Sequence, residues 1–149
     1  MKFLFTTLLV AFFVLCSHAQ PPEITKKHTS STRITQGIKI DGELDEAAWA
    51  TASSASDFIQ NTPAPGKPST LQSEVRILYD NTAMYIGAKL FDARPDSILR
   101  EMTERDNIGN TDWFAVIIDA YRDGNNGVGF GVTASGIQYD TKFSAAAGG

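Results

Sequence analysis

The feature that most constrains this fold is a β-hairpin whose second strand is almost half glycine. The segment WFAVIID at 113–119 is apolar and β-rich, and the polar run RDGNNG after it contains turn-forming Asp, Asn and Gly. In the returning segment GVGFGVT at 127–133, glycine occupies alternate positions. Because side chains alternate between the faces of a strand, Trp113 shares a face with Gly129 and Gly131. We expect the other face to point into a core through Phe114, Val116, Ile118, Phe130 and Val132.

A second hairpin is predicted in SEVRILYDNTAMYIGAKL, residues 73–90, with its turn at the DNT run. Apolar residues recur at every second position on both sides of this turn, as in a strand with one buried face. The face predicted to be apolar carries Val75, Ile77, Tyr79, Met84, Ile86, Ala88 and Leu90.

The remaining elements are short. Residues 34–40 alternate as a brief strand, and Asp45 is predicted to cap a helix over 46–50 that places Trp49 in the core. One or two helical turns are expected after Pro95. Several short strands joined by turns, with little helix, predict an all-β fold, an antiparallel β-sandwich.

The amino-terminal segment has the pattern of a secretory signal peptide. Lys2 precedes an apolar run that ends at Cys16, and Ala19 is the small residue before a predicted cleavage site at Gln20. Residues 20–33 are polar and proline-bearing, which predicts a flexible arm. We therefore expect a secreted protein, carried across the inner membrane to the periplasm, the outer membrane or the medium.

Cleavage of residues 1–19 would leave a chain without cysteine, and hence without a disulfide, a thiolate nucleophile or a cysteine metal site. It would also remove Lys2, one of 13 Lys and Arg residues, leaving 12 against 17 Asp and Glu. This mildly acidic balance argues against nucleic acid and against an anionic membrane surface as partners. The folded segment, 34–149, is long enough for one domain with a core.

Three motifs follow one another in the order IKIDGELDEAAW, EVRILYDNTAMYIGAKLFD and TDWFAVIIDAYRDG. Their spacing resembles the family 9 carbohydrate-binding module, and more closely the module-like domain at the N-terminus of large secreted bacterial proteins of unknown function. The resemblance runs from about Ile34 to Gly149. It implies a jelly-roll β-sandwich that holds polysaccharide or oligosaccharide between aromatic rings, with structural calcium in some members. Family members continue with further strands, so it also implies a C-terminally incomplete domain that contacts the remainder of a longer chain.

Trp113 is the candidate sugar-binding ring. Within the resemblance, Asp112 matches the acidic residue that opens this strand, whereas Ala115 and Gly131 stand where sugar binders can place charged partners. A second aromatic residue is expected from strands beyond Gly149. Three interpretations of the tryptophan stay open: it packs on the bare glycine backbone, it contacts a missing part of the same protein, or it is an open platform for a sugar.

The run ERDNIGNTD before this strand carries further candidates. Asp106, Asn107, Asn110 and Asp112 could line a sugar or ion site. A polar turn before a strand would have the same composition, so both interpretations stay open.

The run DAYRDGNNG supplies a candidate calcium site through Asp119, Asp123 and Asn125, because hard cations bind several oxygens at close range. Tyr121 occupies the third position of the EF-hand pattern, where Asp or Asn is required. An ordinary hairpin loop accounts for the same residues.

Catalysis has little support in the sequence. His28 lies in the predicted arm, and neither a carboxylate pair nor a nucleotide-binding motif stands out. We therefore expect no enzyme activity, and any glycoside hydrolase activity would reside in a missing region. Two functions remain: a secreted carbohydrate-binding domain that serves polysaccharide binding and catabolism, or a structural or docking domain that has lost the sugar site.

Overall fold

The computed structural model describes residues 26–144. They form strands in two sheets with very little helix, so the predicted all-β class is confirmed. The chain divides into two compact units. The first contains the described residues up to Ile59 together with Ser73–Lys89, and the second contains Gln60–Gln72 and the described residues from Leu90 onward. The predicted signal peptide, 1–19, lies outside the described residues, as do residues 20–25 of the predicted arm.

The sheet of the first unit has four strands, with β3 at its centre: β1 (Thr32–Arg33), β2 (Ser54–Ala55), β3 (Ser73–Tyr79) and β4 (Met84–Leu90). Strand β4 pairs with β3, β1 pairs with it in parallel, and β2 pairs with it in antiparallel orientation. The predicted hairpin of residues 73–90 is present as β3 and β4, and the Asp80 N–H donates to the Ala83 carbonyl across its turn at 3.0 Å.

The start of the folded chain differs from the prediction in two ways. Strand β1 lies within the predicted arm, and no strand forms over 34–40. The Ile34 N–H donates to the Tyr79 carbonyl at 2.9 Å, after which the chain bends away from β3. The short alternation of isoleucines was therefore misleading: Ile34 is buried, whereas Ile40 is 83% exposed.

The first helix, α1 (Ala47–Thr51), begins one residue later than predicted. Its N-cap is Glu46 rather than Asp45, and no side chain caps the helix. The Glu46 carboxylate instead accepts hydrogen bonds from the Lys39 N–H at 2.8 Å and from Nε1 of Trp49 at 2.9 Å. These bonds hold the pKa of Glu46 below its ordinary value, the bond from the Lys39 N–H contributing most.

The core of the first unit forms under α1, and the prediction that Trp49 is buried in it is confirmed. This core lies on the face of the β3–β4 hairpin that carries Leu78 and Tyr85. The alternation in the sequence had assigned that face to the polar side. On the face predicted to be apolar, Met84 and Leu90 are more than half exposed. Val75 on that face is nevertheless only 9% exposed, so both faces of the hairpin contain a buried residue, and α1 packs on the face that carries Leu78. The buried cluster is Ile34, Trp49, Ala52 and Leu78, with Ile38, Leu44, Ala48 and Tyr85 packed against it.

The sheet of the second unit is an antiparallel meander of three strands that pair in chain order. Its first two strands are the predicted glycine-rich hairpin. One short 3-10 helix, Pro95–Ser97, stands where one or two helical turns were predicted. The strands are β5 (Trp113–Ile118), β6 (Asn126–Thr133) and β7 (Gln138–Ser144). Between residues 26 and 144, no helix is long and apolar enough to cross a membrane.

Candidate functional site

The meander of the second unit presents one face that is rich in aromatic side chains. Directly paired residues of an antiparallel sheet point to the same side, so the register assigns each residue of the three strands to a face. We call one of them the aromatic face. It consists of Trp113, Ala115 and Ile117 from β5, Gly127, Gly129, Gly131 and Thr133 from β6, and Tyr139, Thr141 and Phe143 from β7.

Rings from β7 cover the glycines of the central strand. A Cβ at Gly129 would stand 2.7 Å from Cε2 of Phe143, so the phenyl ring occupies the space that a side chain would fill. A Cβ at Gly131 would stand 3.7 Å from Cδ1 of Tyr139, which is its partner in the register. The glycines thus let aromatic rings from a neighbouring strand lie close to the backbone, a known structural device.

Trp113 is not the ring that packs on these glycines. Its direct partner is Thr133, and none of the three atoms nearest to a Cβ at Gly129 or Gly131 belongs to it. The indole is 54% exposed. One of the three interpretations was that Trp113 packs on the glycine backbone. Tyr139 and Phe143 do so instead, and Trp113 is an exposed ring on the same face.

The two aromatic residues of β7 were missed in the sequence, where a second aromatic was expected only beyond Gly149. The signal was present, since GIQYDTKF alternates so that Tyr139, Thr141 and Phe143 fall on one side of a strand. What the alternation cannot supply is the register with β6, which places these residues beside the glycines.

Polar groups on the aromatic face are hydroxyls. The Thr133 hydroxyl is buried and accepts a hydrogen bond from the Ile137 N–H at 3.0 Å. The hydroxyls of Tyr139 and Thr141 make no hydrogen bond to any residue between 26 and 144. Charged side chains of β7, Asp140 and Lys142, lie on the other side of the sheet. The aromatic face therefore combines rings and free hydroxyls without formal charge.

The opposite face of the meander differs from its prediction. Phe130 and Val132 were expected to point into a core with Phe114, but they are 52% and 44% exposed. The strand beside them, β7, brings Gln138 and Asp140 to this face, and these polar side chains do not build an apolar interior. On the face of the sheet that was predicted to lie in a core, Phe130 and Val132 are thus about half exposed.

The predicted site residue Asp106 lies at the outer edge of β7. Its N–H donates to the Gln138 carbonyl, and its carboxylate accepts from the Asp140 N–H, both at 3.1 Å. Arg105 reinforces this contact through its guanidinium, which bonds to the side chains of Gln138 and Asp140. Asp106 is therefore separated from Trp113 by the width of the sheet.

Two other predicted residues of this loop lie nearer to β5. The Asn110 N–H donates to the Glu101 carboxylate, and the Asp112 N–H donates to the Leu99 carbonyl at 3.0 Å. Asp112 also accepts from the Ala134 N–H at 2.8 Å, which extends the pairing of β5 with β6 by one bond. The structure therefore does not gather Asp106, Asn110, Asp112 and Trp113 into one cluster.

The candidate calcium residues form the loop between β5 and β6. The Asp119 carboxylate accepts from the N–H groups of Asp123 and Gly124, at 3.3 and 2.8 Å. The Asp123 carboxylate accepts from the N–H groups of Asn125 and Asn126 and from the Asn126 side chain, all at 2.8–2.9 Å. These bonds, with the Asn126 side chain first, lower the pKa of Asp123. Both carboxylates therefore accept hydrogen bonds from residues of their own loop.

In residues 26–144, no group of three or more His, Cys, Asp and Glu side chains could hold a metal ion. The proposed ligand Asn125 takes part in the loop through its N–H.

Comparison with known proteins yields no relative. No protein-family model matches the chain, and no curated protein or solved structure resembles it significantly.

Proposed function

We propose that this chain is a secreted, non-catalytic carbohydrate-binding domain of a larger protein, active in polysaccharide binding and catabolism. Its two sheets would then belong to a jelly-roll sandwich like that of the family 9 module. The observation that carries the proposal is the exposure of Trp113 on a sheet face shared with Tyr139 and Phe143.

The chemistry of this face suits a sugar. The C–H groups on a pyranose face are apolar and stack on indole and phenyl rings. This stacking is favourable because it removes apolar area from water. The ring hydroxyls of a sugar need hydrogen-bond partners, and the free hydroxyls of Tyr139 and Thr141 can donate and accept. An aromatic surface with a few polar groups is a common form of ligand site.

The composition of the face supports the part of the proposal that concerns binding without bond cleavage. Glycoside hydrolysis commonly uses two carboxyl groups on opposite sides of the scissile bond. None of the ten residues of the aromatic face is acidic, and none is a histidine. The face offers aromatic rings for contact with a sugar, but it offers neither a carboxylate nor an imidazole as a general acid or base.

Tryptophan fluorescence tests the proposal, because the two tryptophans differ in exposure. Trp49 is 5% exposed and serves as an internal reference, so an emission change on adding oligosaccharide must come mainly from Trp113. We expect saturable binding in the full chain. Because Trp113→Ala lacks the fluorescent reporter, its binding is measured by calorimetry, and we expect it to be lost. Phe130→Ala is the matched control, since Phe130 is similarly exposed on the opposite face of the same sheet. Absence of binding, or equal binding by Trp113→Ala, would refute the proposal.

A docking domain without a sugar site is the second candidate. The observation in its favour is the exposure of Trp113, Ile117 and Phe143, apolar residues on the aromatic, glycine-rich face that a covering segment would bury. If the remainder of a longer chain covers the meander, acrylamide should quench Trp113 less in the longer protein than in this chain. Equal quenching in both would reject coverage of the aromatic face.

A further inference from the structure

The outer edge of β7 is occupied by a residue of the preceding loop. The Asp106 N–H donates to the Gln138 carbonyl, and the Asp140 N–H donates to the Asp106 carboxylate, both at 3.1 Å. A neighbouring strand would use the same two groups of an edge strand. Asp106 reaches both of them with its backbone at φ 65°, in the left-handed region that Asp adopts more readily than most residues. Asp106 thus takes the place of a strand beside residues 138–140.

Arg105 holds Asp106 against this edge. Its guanidinium donates to the side-chain carbonyl of Gln138 at 2.7 Å and to the carboxylate of Asp140. Its Nε lies 3.6 Å from the Asp106 carboxylate. The planar guanidinium has five N–H donors, so one arginine can bridge all three groups. We call Arg105 and Asp106 the edge guard.

The sequence of β7 is complementary to itself in an antiparallel pair. If two copies of β7 pair over their full length, Gln138–Ser144, Thr141 of one copy lies opposite Thr141 of the other. Asp140 of each copy then lies directly opposite Lys142 of the other, with both side chains on the same face. Opposite charges at such positions stabilise an antiparallel pair. Asp140 and Lys142 are both exposed, and Lys142 makes no ion pair with any residue between 26 and 144.

This pairing and the edge guard exclude each other. In an antiparallel pair, alternate residues direct N–H and C=O toward the same neighbour. Since Gln138 and Asp140 bond outward to Asp106, Lys142 also directs its backbone groups outward. In the full-length pair, the Asp140 N–H would donate to the Lys142 carbonyl of the second copy. The Asp106 carboxylate already accepts from that N–H, and Arg105 already neutralises the Asp140 side chain.

From this competition, we propose that the edge guard keeps β7 from pairing with a second copy of this chain. The interaction surface is the outer edge of β7, and its partner is the same edge of the other copy. Arg105 and Asp106 form the autoinhibitory contact. Charged side chains and covering loops commonly protect the edges of sheets in this way. The proposal is independent of carbohydrate binding, because the aromatic face contains neither residue.

Sedimentation velocity of the full chain over a dilution series tests the proposal. The variant Arg105→Ala/Asp106→Gly removes both parts of the guard, and glycine adopts the positive φ without strain. We expect this guard-deficient variant to dimerise at least about tenfold more tightly than wild type, which corresponds to about 1.4 kcal/mol. The matched control is Arg100→Ala/Asp57→Gly. It removes the same two charges from exposed positions, and Asp57 also has a positive φ, 55°, so the control should behave as wild type.

Charge changes identify the edge that pairs. Adding Lys142→Asp to the guard-deficient variant places two carboxylates opposite each other and should return the association to the wild-type level. Adding Asp140→Lys as well exchanges the two charges and should restore the dimer. In the guard-deficient dimer, the Lys142 amide should exchange its hydrogen more slowly than in wild type, because it becomes hydrogen-bonded to the second copy.

Melting curves and the charge changes decide between the outcomes. Equal association of wild type and the guard-deficient variant, with both folded, would overturn the proposal. Association that Lys142→Asp does not reverse would also overturn it, because another surface would then be responsible. If the double variant loses its melting transition, Arg105→Ala alone is judged by the same criteria: association that Lys142→Asp reverses supports the proposal, and unchanged association overturns it.

Discussion

The ring of Trp49 lies directly against the backbone of Gly87. A Cβ at Gly87 would stand 2.9 Å from Cζ3 of Trp49 and 2.9 Å from Cδ2 of Leu44. Because Gly87 has no side chain, the indole of Trp49, which belongs to helix α1, occupies the volume that a side chain at position 87 would fill. The first unit therefore uses the same device as the second, where Phe143 covers Gly129.

Gly87→Ala should destabilise the protein. Both neighbours of the added methyl group belong to the packed cluster around the buried Trp49, so they cannot move away freely. We expect a loss of about 1 to 3 kcal/mol in the free energy of unfolding, as for other overpacked cores. Urea unfolding followed by circular dichroism measures it. Gly37→Ala is the control, because a Cβ at Gly37 would meet nothing within 4 Å. An unchanged midpoint for Gly87→Ala would contradict this packing.

Truncation of the two tryptophans should lower the stability by very different amounts. Trp49→Ala should cost about 3 to 5 kcal/mol, because it empties a buried site and leaves the Glu46 carboxylate without one donor. Trp113→Ala should cost less than about 1 kcal/mol, because most surface substitutions have small effects. Denaturant midpoints measure the stability of both variants. Trp49→Phe is a milder variant for the case that Trp49→Ala does not fold. A larger loss in Trp113→Ala would show that its ring is structural.

Asp80 should make stability depend on pH. Its carboxylate accepts from the N–H and hydroxyl of Thr82, from the Ala83 N–H and from the Tyr85 hydroxyl. These bonds, those from Thr82 first, hold the pKa of Asp80 well below its ordinary value of 3.8. A lowered pKa in the folded state stabilises it above the unfolded value, and this contribution is lost as the pH falls through the folded value.

The comparison of wild type with Asp80→Asn isolates this contribution. We expect the variant to be less stable at neutral pH, and the difference to shrink as the pH falls below 3.8, the ordinary value. Urea midpoints across the acidic range give both curves. Asp45→Asn controls for removal of a charge, since Asp45 is exposed and makes no hydrogen bond within residues 26–144. Parallel curves for Asp80→Asn and wild type would show that the turn does not depend on the charge.

Calcium should leave the melting temperature unchanged. The carboxylates of Asp119 and Asp123 already accept hydrogen bonds from within their loop, so a cation would have to displace or reorganise them. Asp123→Ala should lower the melting temperature equally with calcium or with a chelator. A rise in the melting temperature with calcium, removed by the chelator, would instead indicate a bound ion through mass action.

Export should remove residues 1–19. If signal peptidase cleaves after Ala19, mass spectrometry of the secreted protein should give an N-terminus at Gln20, as glutamine or pyroglutamate. A membrane-bound product that retains residues 1–19 would contradict this prediction.

The sequence by itself determined the strands that have a strong local signal. The alternation in 113–119 and 73–79, the turn residues between strands and the aromatic character of Trp49 predicted two hairpins and one buried indole, all of which the structure contains. Period-two patterns and turn chemistry are local properties, so they can be recognised before any partner is known. The all-β class follows from the number of such short elements.

Tertiary structure alone decided which face of each sheet is covered. In the hairpin of β3 and β4, both faces carry apolar residues, and Gly87 makes room for Trp49 on the side that alternation had called polar. In the meander, the register with β7 places Tyr139 and Phe143 beside the glycines and leaves Trp113 exposed. A glycine shows in sequence only that a side chain is missing. Which ring fills the space depends on the register and on the packing of residues distant in the chain.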